Sequence, residues 1–331
     1  MRWPPYQNIF FDCDSTLSTI EGIDVLAETA GKKWRVEVLT NAAMNGELEL
    51  EAVYGKRLRA IHPTRHQIVA VREQYKKNVV VDAAAVVSAL QRLGHNVFII
   101  SGGLLEPVRE FGITLGVPET HIRAVTVQYD ELAGEWWRPT TAEPSPPRYK
   151  QYTEGALTIS NGKAQVVREL LAEFGGAKPG RSLLIGDGTS DLLAGPSVDL
   201  FVGFGGVVKR ERVLREAPVF IHSPSIAPLL AMALGPAGLS ELENTPYASL
   251  AHTCVQLIEQ GELTFNHERL NQKFREAYQA VYPRPDRSAS RNFRRPDAMD
   301  DWTPDVRLFG FDEPHPAQIA PSVPHPTPSA D

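Results

Sequence analysis

Asn8-Ile9-Phe10-Phe11-Asp12-Cys13-Asp14-Ser15-Thr16 is a short apolar run that stops abruptly at two carboxylates. It reads as a buried strand delivering Asp12 and Asp14 at its carboxyl end. The pattern returns downstream. Val97-Phe98-Ile99-Ile100 runs into Ser101-Gly102-Gly103, and Ser182-Leu183-Leu184-Ile185 runs into Gly186-Asp187-Gly188. Two more short strands are expected at 199–203 and 218–221. Helical segments lie between them: 83–93, stopped by Gly94; one beginning near Leu105; and one opened by Gly162-Lys163 and running through Phe174. Strands alternating with helices predict a Rossmann-like α/β fold, a parallel sheet with helices on both faces. In such sheets ligands bind beyond the carboxyl ends of the strands, where these polar turns fall.

Three segments depart from that rhythm. Residues 17–80 repeat apolar positions at three- and four-residue steps, including Leu26, Leu39, Leu58, Ile61, Ile68 and Val71. This predicts a helical cap inserted after the first strand, leaving 1–16 and 81–234 as the core. Residues 122–138 alternate around Ala133-Gly134 and predict a β-hairpin, followed by a proline-rich loop over 139–148. Beyond Gly235-Pro236 the character changes. Thr245-Pro246 is a helix start, with apolar faces at Tyr247, Leu250, Ala251, Cys254, Leu257 and Ile258, then at Leu270, Phe274, Ala277, Tyr278 and Val281. A helical hairpin is expected over 235–283, burying its stripe in the core or at a partner surface. Little order is expected in the Pro-rich tail over 284–331.

Composition bounds the function. With 331 residues and 42% hydrophobic content, the chain can bury a sizeable core. No apolar run is long enough for a membrane span, and no signal-peptide pattern precedes the first strand. Two cysteines, Cys13 and Cys254, cannot form a disulfide framework and predict a reducing, cytoplasmic setting. The net charge of −6 argues against nucleic acid as the main ligand. Residues 237–331 carry 9 Lys/Arg against 14 Asp/Glu, so most of that charge belongs to the end of the chain and not to the motifs.

Taken singly, each motif has a plain alternative. Asp12 and Asp14, at i and i+2, can attack an electrophile and move a proton, or can simply cap a solvated turn. The Ser101 hydroxyl and Gly102 N–H can hold an anion, or form an ordinary strand-to-helix turn. Lys163 opens a helix, where the dipole favours anions; it fits there if it meets a phosphate or carboxylate, and is otherwise a surface lysine. Asp187 and Asp191 can hold a hard cation or cap the next helix.

The order of acid pair, Ser-Gly turn, lysine and acidic glycine turn resembles the motif series of the haloacid dehalogenase superfamily. The Asp-x-Asp-x-Thr form resembles its phosphatases. Glu21-Gly22-Ile23-Asp24, Ala43-Met44-Asn45-Gly46, Arg57-Leu58, Ile61-His62-Pro63 and Gly203-Phe204-Gly205-Gly206 further resemble phosphoserine phosphatases, and the likeness runs from about Asn8 to Ile221. That resemblance implies Asp12 as nucleophile and Asp14 as general acid and base. It implies Mg2+ held by Asp12, Asp14 through its carbonyl, and Asp187, with Asp191 and Ser190 behind. Ser101, Gly102 and Lys163 would bind the phosphoryl group. Glu21, Met44 and Arg57 would bind a small phosphomonoester, O-phosphoserine, from the cap. Leu50, Val81-Asp82, Val125 and Ser190 depart from the family's common residues. Transfer to another alcohol or hydrolysis of a different small phosphate ester remains open, as do a non-catalytic role and the choice between monomer and homodimer.

Overall fold

A computed structural model describes residues 3–45, 47–130, 147–176 and 180–283, with Met44 by its backbone alone. In chain order the elements are β1 (Asn8–Phe11), α1 (Gly22–Thr29), α2 (Lys33–Met44), α3 (Leu50–Ile61), α4 (Arg65–Lys77), α5 (Ala83–Arg92), β2 (Asn96–Leu104) and α6 (Leu105–Thr114). Then follow β3 (Ile122–Val125), β4 (Val127–Asp130), β5 (Arg148–Tyr152), α7 (Lys163–Phe174), β6 (Ser182–Gly186), α8 (Thr189–Ala194) and β7 (Leu200–Phe204). The last are α9 (Glu211–Glu216), β8 (Val219–Ile221), α10 (Leu229–Glu241), α11 (Ala248–Glu259), β9 (Leu263–Phe265) and α12 (Glu268–Val281).

The main sheet has the order β3-β2-β1-β6-β7-β8-β9. All pairings are parallel except β8–β9. This is the α/β sheet expected from the alternation of elements. The chain leaves β1 first toward β2 and later toward β6 on its other side, so the crevice where strand order reverses opens beyond Phe11. Burial on both faces explains why the strands read as unbroken apolar runs. Ile9 and Phe11 point into one core with α5, α6 and α10; Phe10 points into the other with Phe98, Leu184 and α7 residues Val166, Val167 and Leu170. Helices α1–α4 occupy the stretch between β1 and α5 where the cap is expected. Helix α4 starts with a reciprocal Thr64–Gln67 capping box and is tied to α6 by Arg72–Glu110 at 2.7 Å and Arg65–Glu106 at 3.1 Å.

Two expectations are corrected. The hairpin over 122–138 does not form as one unit. β3 joins the main sheet edge parallel to β2, while β4 pairs antiparallel with β5, whose first residue lies at the end of the expected proline-rich loop. Alternation marks strands but carries no information about which edge they join. The Ala133-Gly134 turn lies outside the described residues. The helical hairpin is also incomplete as a description. Between α11 and α12 the chain turns at Gly261 (φ 83°) and adds β9 antiparallel to β8. Three residues are too short a run for periodicity to register. Of the two apolar stripes, Leu250, Ala251, Cys254, Ile258, Phe274, Ala277 and Tyr278 are buried and Tyr247, Leu257, Leu270 and Val281 half-buried, and the stripes dock on the core: Phe274 packs on Trp3 at 5.3 Å and on Phe265 at 5.2 Å. Helix α10, apolar on all sides and buried, was not anticipated; it kinks at Gly235-Pro236, where the composition changes. The tail expectation for 284–331 lies outside the described residues. No helix among the described residues is long and apolar enough to cross a membrane.

Candidate active site

Strand β1 ends with its side chains alternating. Cys13 turns back into the core, fully buried, while Asp12 and Asp14 face the crevice. Helix α7 places Lys163 at its first position, 5% exposed, where its ammonium donates to Asp12 Oδ1 and Asp191 Oδ1, each at 2.6 Å. Burial opposes the charge on Lys163, but Asp12 and Asp191 outweigh it and hold the amine well above the usual lysine range. The lysine at a helix start is thus explained by carboxylates brought from β1 and α8.

The turn after β2 brings Ser101 beside Asp14. Its hydroxyl accepts the Gly103 N–H at 2.9 Å and donates to Asp14 Oδ2 at 3.4 Å. Asp14 Oδ1 accepts the Gly22 N–H at 2.8 Å and the Tyr75 phenol at 2.7 Å. Burial, with the Asp12 charge adding to it, pushes the Asp14 carboxyl up to about 6, against the hydrogen bonds from Tyr75 and Gly22.

The turn after β6 supplies Asp187 and, one turn into α8, Asp191. Burial pushes Asp187 up to about 6, with Arg210 opposing and Asp12 reinforcing. It pushes Asp191 up to about 7, with Asp12 reinforcing and Lys163 opposing. Asp187 Oδ2 accepts Arg210 Nε at 2.9 Å, while its buried Oδ1 has no hydrogen-bond partner. Oxygens of Asp12, Asp187 and Asp191 lie within 4.8 Å of one another. The donor set is all oxygen, as a hard divalent cation requires, and one member, Asp187, keeps a buried carboxylate oxygen with no hydrogen-bond partner. Among the described residues, Asp12 and Asp191 pair with Lys163, Glu21 and Asp187 pair with Arg210, and Asp14 lies beside them, five carboxyls to two cations, so the cluster fits a cation. Both Asp191 oxygens already have protein donors, Lys163 and the Gly188 N–H at 3.1 Å, which suits a supporting place better than a direct ligand.

From the cap, Glu21 reaches the cluster and accepts Ser15 Oγ at 2.8 Å and Arg210 Nη2 at 3.5 Å. Burial, then Asp14 and Asp187, drive its carboxyl well above the usual range. Arg57 is 5% exposed, donates to Thr40 Oγ1 at 3.0 Å and lies over the Tyr54 ring at 5.4 Å. Its buried Nε has no partner. Tyr54 itself donates to the Gly102 carbonyl at 2.9 Å, so α3 touches the turn of β2 directly. A cavity of about 210 Å³ joins these groups, lined by Asp12, Asp14, Glu21, Gly102, Lys163 and Ser190 among others. Of the residues singled out in the sequence, Arg57 stands behind Tyr54 and not on the cavity wall. The Met44 side chain lies outside the described residues.

Sequence reasoning missed Arg210, Tyr75 and Tyr54. Arg210 follows the glycine turn after β7, and its place at a strand's carboxyl end was a usable signal. Tyr75 and Tyr54 sit on cap helices as ordinary apolar-face residues, and nothing local marks them.

The comparisons agree with this geometry. The family model for haloacid dehalogenase-like hydrolases matches residues 6–199. The phosphoserine phosphatase of Mus musculus is 33% identical over 216 residues, 64% of this chain and 88% of the mouse protein. Those of Homo sapiens and Drosophila melanogaster are each 32% identical, spanning 64% and 65% of this chain and 88% and 74% of theirs. Two solved structures share the fold: a substrate-bound phosphoserine phosphatase complex (TM-score 0.57) and a phospho-aspartyl intermediate analogue of phosphoserine phosphatase (TM-score 0.56). Each is 20% identical and covers 69% of this chain and 98% of its own. A sheet that reverses order at β1, an acid pair at that strand's end and a lysine clamped between two carboxylates are thus accompanied by matching sequence over most of the core and cap, and the chain belongs to the haloacid dehalogenase-like hydrolases, in the phosphoserine phosphatase family.

Proposed function

We propose that this phosphomonoester hydrolase acts on O-phospho-L-serine through an aspartyl-phosphate intermediate and serves serine biosynthesis. The observation that carries the reading is the Asp12–Lys163–Asp191 ion pair beside Asp14 and the orphaned Asp187 oxygen. Asp12 attacks phosphorus, and the serine alkoxide leaves with a proton from Asp14; Asp14 then takes a proton from the attacking water. Lys163, Ser101 and the Gly102 N–H hold the phosphoryl oxygens as charge develops on them. Asp12, Asp187 and the Asp14 carbonyl would hold Mg2+, with Asp191 and Ser190 behind them. The ion would supply positive charge that lets one anion approach another. Glu21 faces the substrate ammonium. Arg57, held behind Tyr54, presents its unpartnered Nε toward a carboxylate after a small shift of the cap, and Met44 is assigned to the substrate by the family resemblance alone.

One observation favours a second substrate. The cavity wall includes Ile23, Leu48, Leu50, Leu157, Ile159 and Leu193, an apolar lining suited to a phosphorylated alcohol with a larger apolar body. Phosphate release from phosphoserine and from a panel of other alkyl phosphates, with Mg2+ present, decides between them. Asp12→Asn is expected to abolish turnover while the protein still melts cooperatively. Retained turnover would remove Asp12 as nucleophile, and preferred turnover of an apolar ester would remove phosphoserine as the substrate.

A further inference from the structure

We propose that Tyr75 is a positioning residue for phosphoryl transfer: its phenol, delivered by cap helix α4, pins one oxygen of Asp14 so that only the other carries the moving proton. The inference rests on the reading of Asp14 as general acid and base.

Tyr75 is fully buried and lies 61 residues from Asp14 in sequence, yet its hydroxyl donates to Asp14 Oδ1 at 2.7 Å. The Gly22 N–H donates to the same oxygen at 2.8 Å. Two donors occupy the acceptor sites of one carboxylate oxygen, so a proton on Asp14 belongs on Oδ2. Oδ2 faces the anion-binding turn: Ser101 Oγ is 3.4 Å away, and a Cβ at Gly103 would stand 2.9 Å from it. The phenol needs room to arrive. A Cβ at position 22 would lie 2.2 Å from the Tyr75 hydroxyl, so glycine there is a condition of the contact. The ring is held by stacking on Phe111 at 5.3 Å and 19°. Its helix is held to α6 by Arg72, whose Nη1 donates to both Glu110 oxygens at 2.8 and 2.7 Å. Tyr75 is therefore fixed from the side of the cap anchored to the core.

In the first displacement the bond from Asp12 to phosphorus forms as the ester oxygen–phosphorus bond breaks. The ester electron pair stays on the alcohol oxygen, which takes the proton from Asp14 Oδ2. In the second, a water oxygen bonds to phosphorus, its proton returns to Oδ2, and the Asp12 oxygen–phosphorus bond breaks with its electrons restoring the carboxylate. Tyr75 keeps its proton throughout, and Oδ1 never leaves its two donors.

The test is leaving-group dependence in Tyr75→Phe, which keeps the ring and its stacking. kcat/KM reports the first displacement, and p-nitrophenolate departs without needing a proton. Phosphoserine and glycerol 3-phosphate, as alkyl esters, are compared with p-nitrophenyl phosphate in the same Mg2+ buffer. The variant should lose about tenfold or more on the alkyl esters, a part of what general acid catalysis supplies. It should stay within about twofold of wild type on the aryl ester. Equal losses on all three esters, or no loss on any, would overturn the positioning role. A wild type that refuses phosphoserine but takes glycerol 3-phosphate overturns the substrate assignment alone, and a selective alkyl-ester loss in the variant still supports Tyr75. A wild type inert on all three overturns the phosphatase reading and the Tyr75 role with it.

Discussion

Replacing Arg210 with methionine removes the guanidinium that bridges Asp187 and Glu21 and leaves a stem of similar shape. The side chain is 3% exposed, with Nε 2.9 Å from Asp187 and Nη2 3.5 Å from Glu21. Taking one partner from a buried ion pair costs about 3–5 kcal/mol, because the other charge stays buried and unpaired. Linkage gives a similar figure. Each tenfold loss of acidity costs about 1.4 kcal/mol, so one to two such losses at each of the two carboxylates sum to about 3–6 kcal/mol. The sign with pH follows from Asp187. Its folded value of about 6 lies above its ordinary 3.8, so the cost of ionising it is present above pH 6 and is lost as pH falls through that value toward 4. Glu21 is raised in the same direction. Urea unfolding of chelator-treated wild type and Arg210→Met should therefore show the larger deficit near about pH 8.5, above the values these carboxylates take once Arg210 is lost, and a deficit smaller by at least about 1 kcal/mol near about pH 5. A deficit under about 1 kcal/mol at the higher pH, or one equal at both, would mean that Arg210 acts by packing its stem and not by its charge.

Three further outcomes are expected. Chelation should abolish activity and Mg2+ restore it. The apparent cation affinity, read by calorimetric titration, should fall as pH drops through 7 toward 6, because protons on Asp191 (about 7) and Asp187 (about 6) compete with the ion; a flat affinity over that range would falsify the ligand set. A chain ending after Pro283 should keep wild-type melting and turnover. One ending after Pro236 should be insoluble, since it loses β9 and the buried Leu250, Cys254, Ile258, Phe265, Phe274 and Tyr278, at about 1.5–3 kcal/mol per large apolar side chain. Solubility and activity in the shorter chain would show the extension to be an accessory.

The sequence by itself determined the sheet and the points where it is polar. A parallel strand buried on both faces must be an uninterrupted apolar run, so each run announces a strand, and the residues after it announce the crevice. Asp12, Asp14, Ser101, Lys163, Asp187 and Asp191 were legible because each sits beside a strong local signal: a strand end or a helix start. Tertiary structure alone decided what those residues touch. Arg210 meets Glu21 across 189 residues of chain and Tyr75 meets Asp14 across 61, and no periodicity encodes a contact at that range. The same limit applies to β9, three residues whose identity as a strand comes only from the open edge of β8. It applies also to α10, apolar on every side, whose pattern names no face until the core closes around it. Local patterning reports which groups are withdrawn from water; pairing among them is set by the packing that withdraws them.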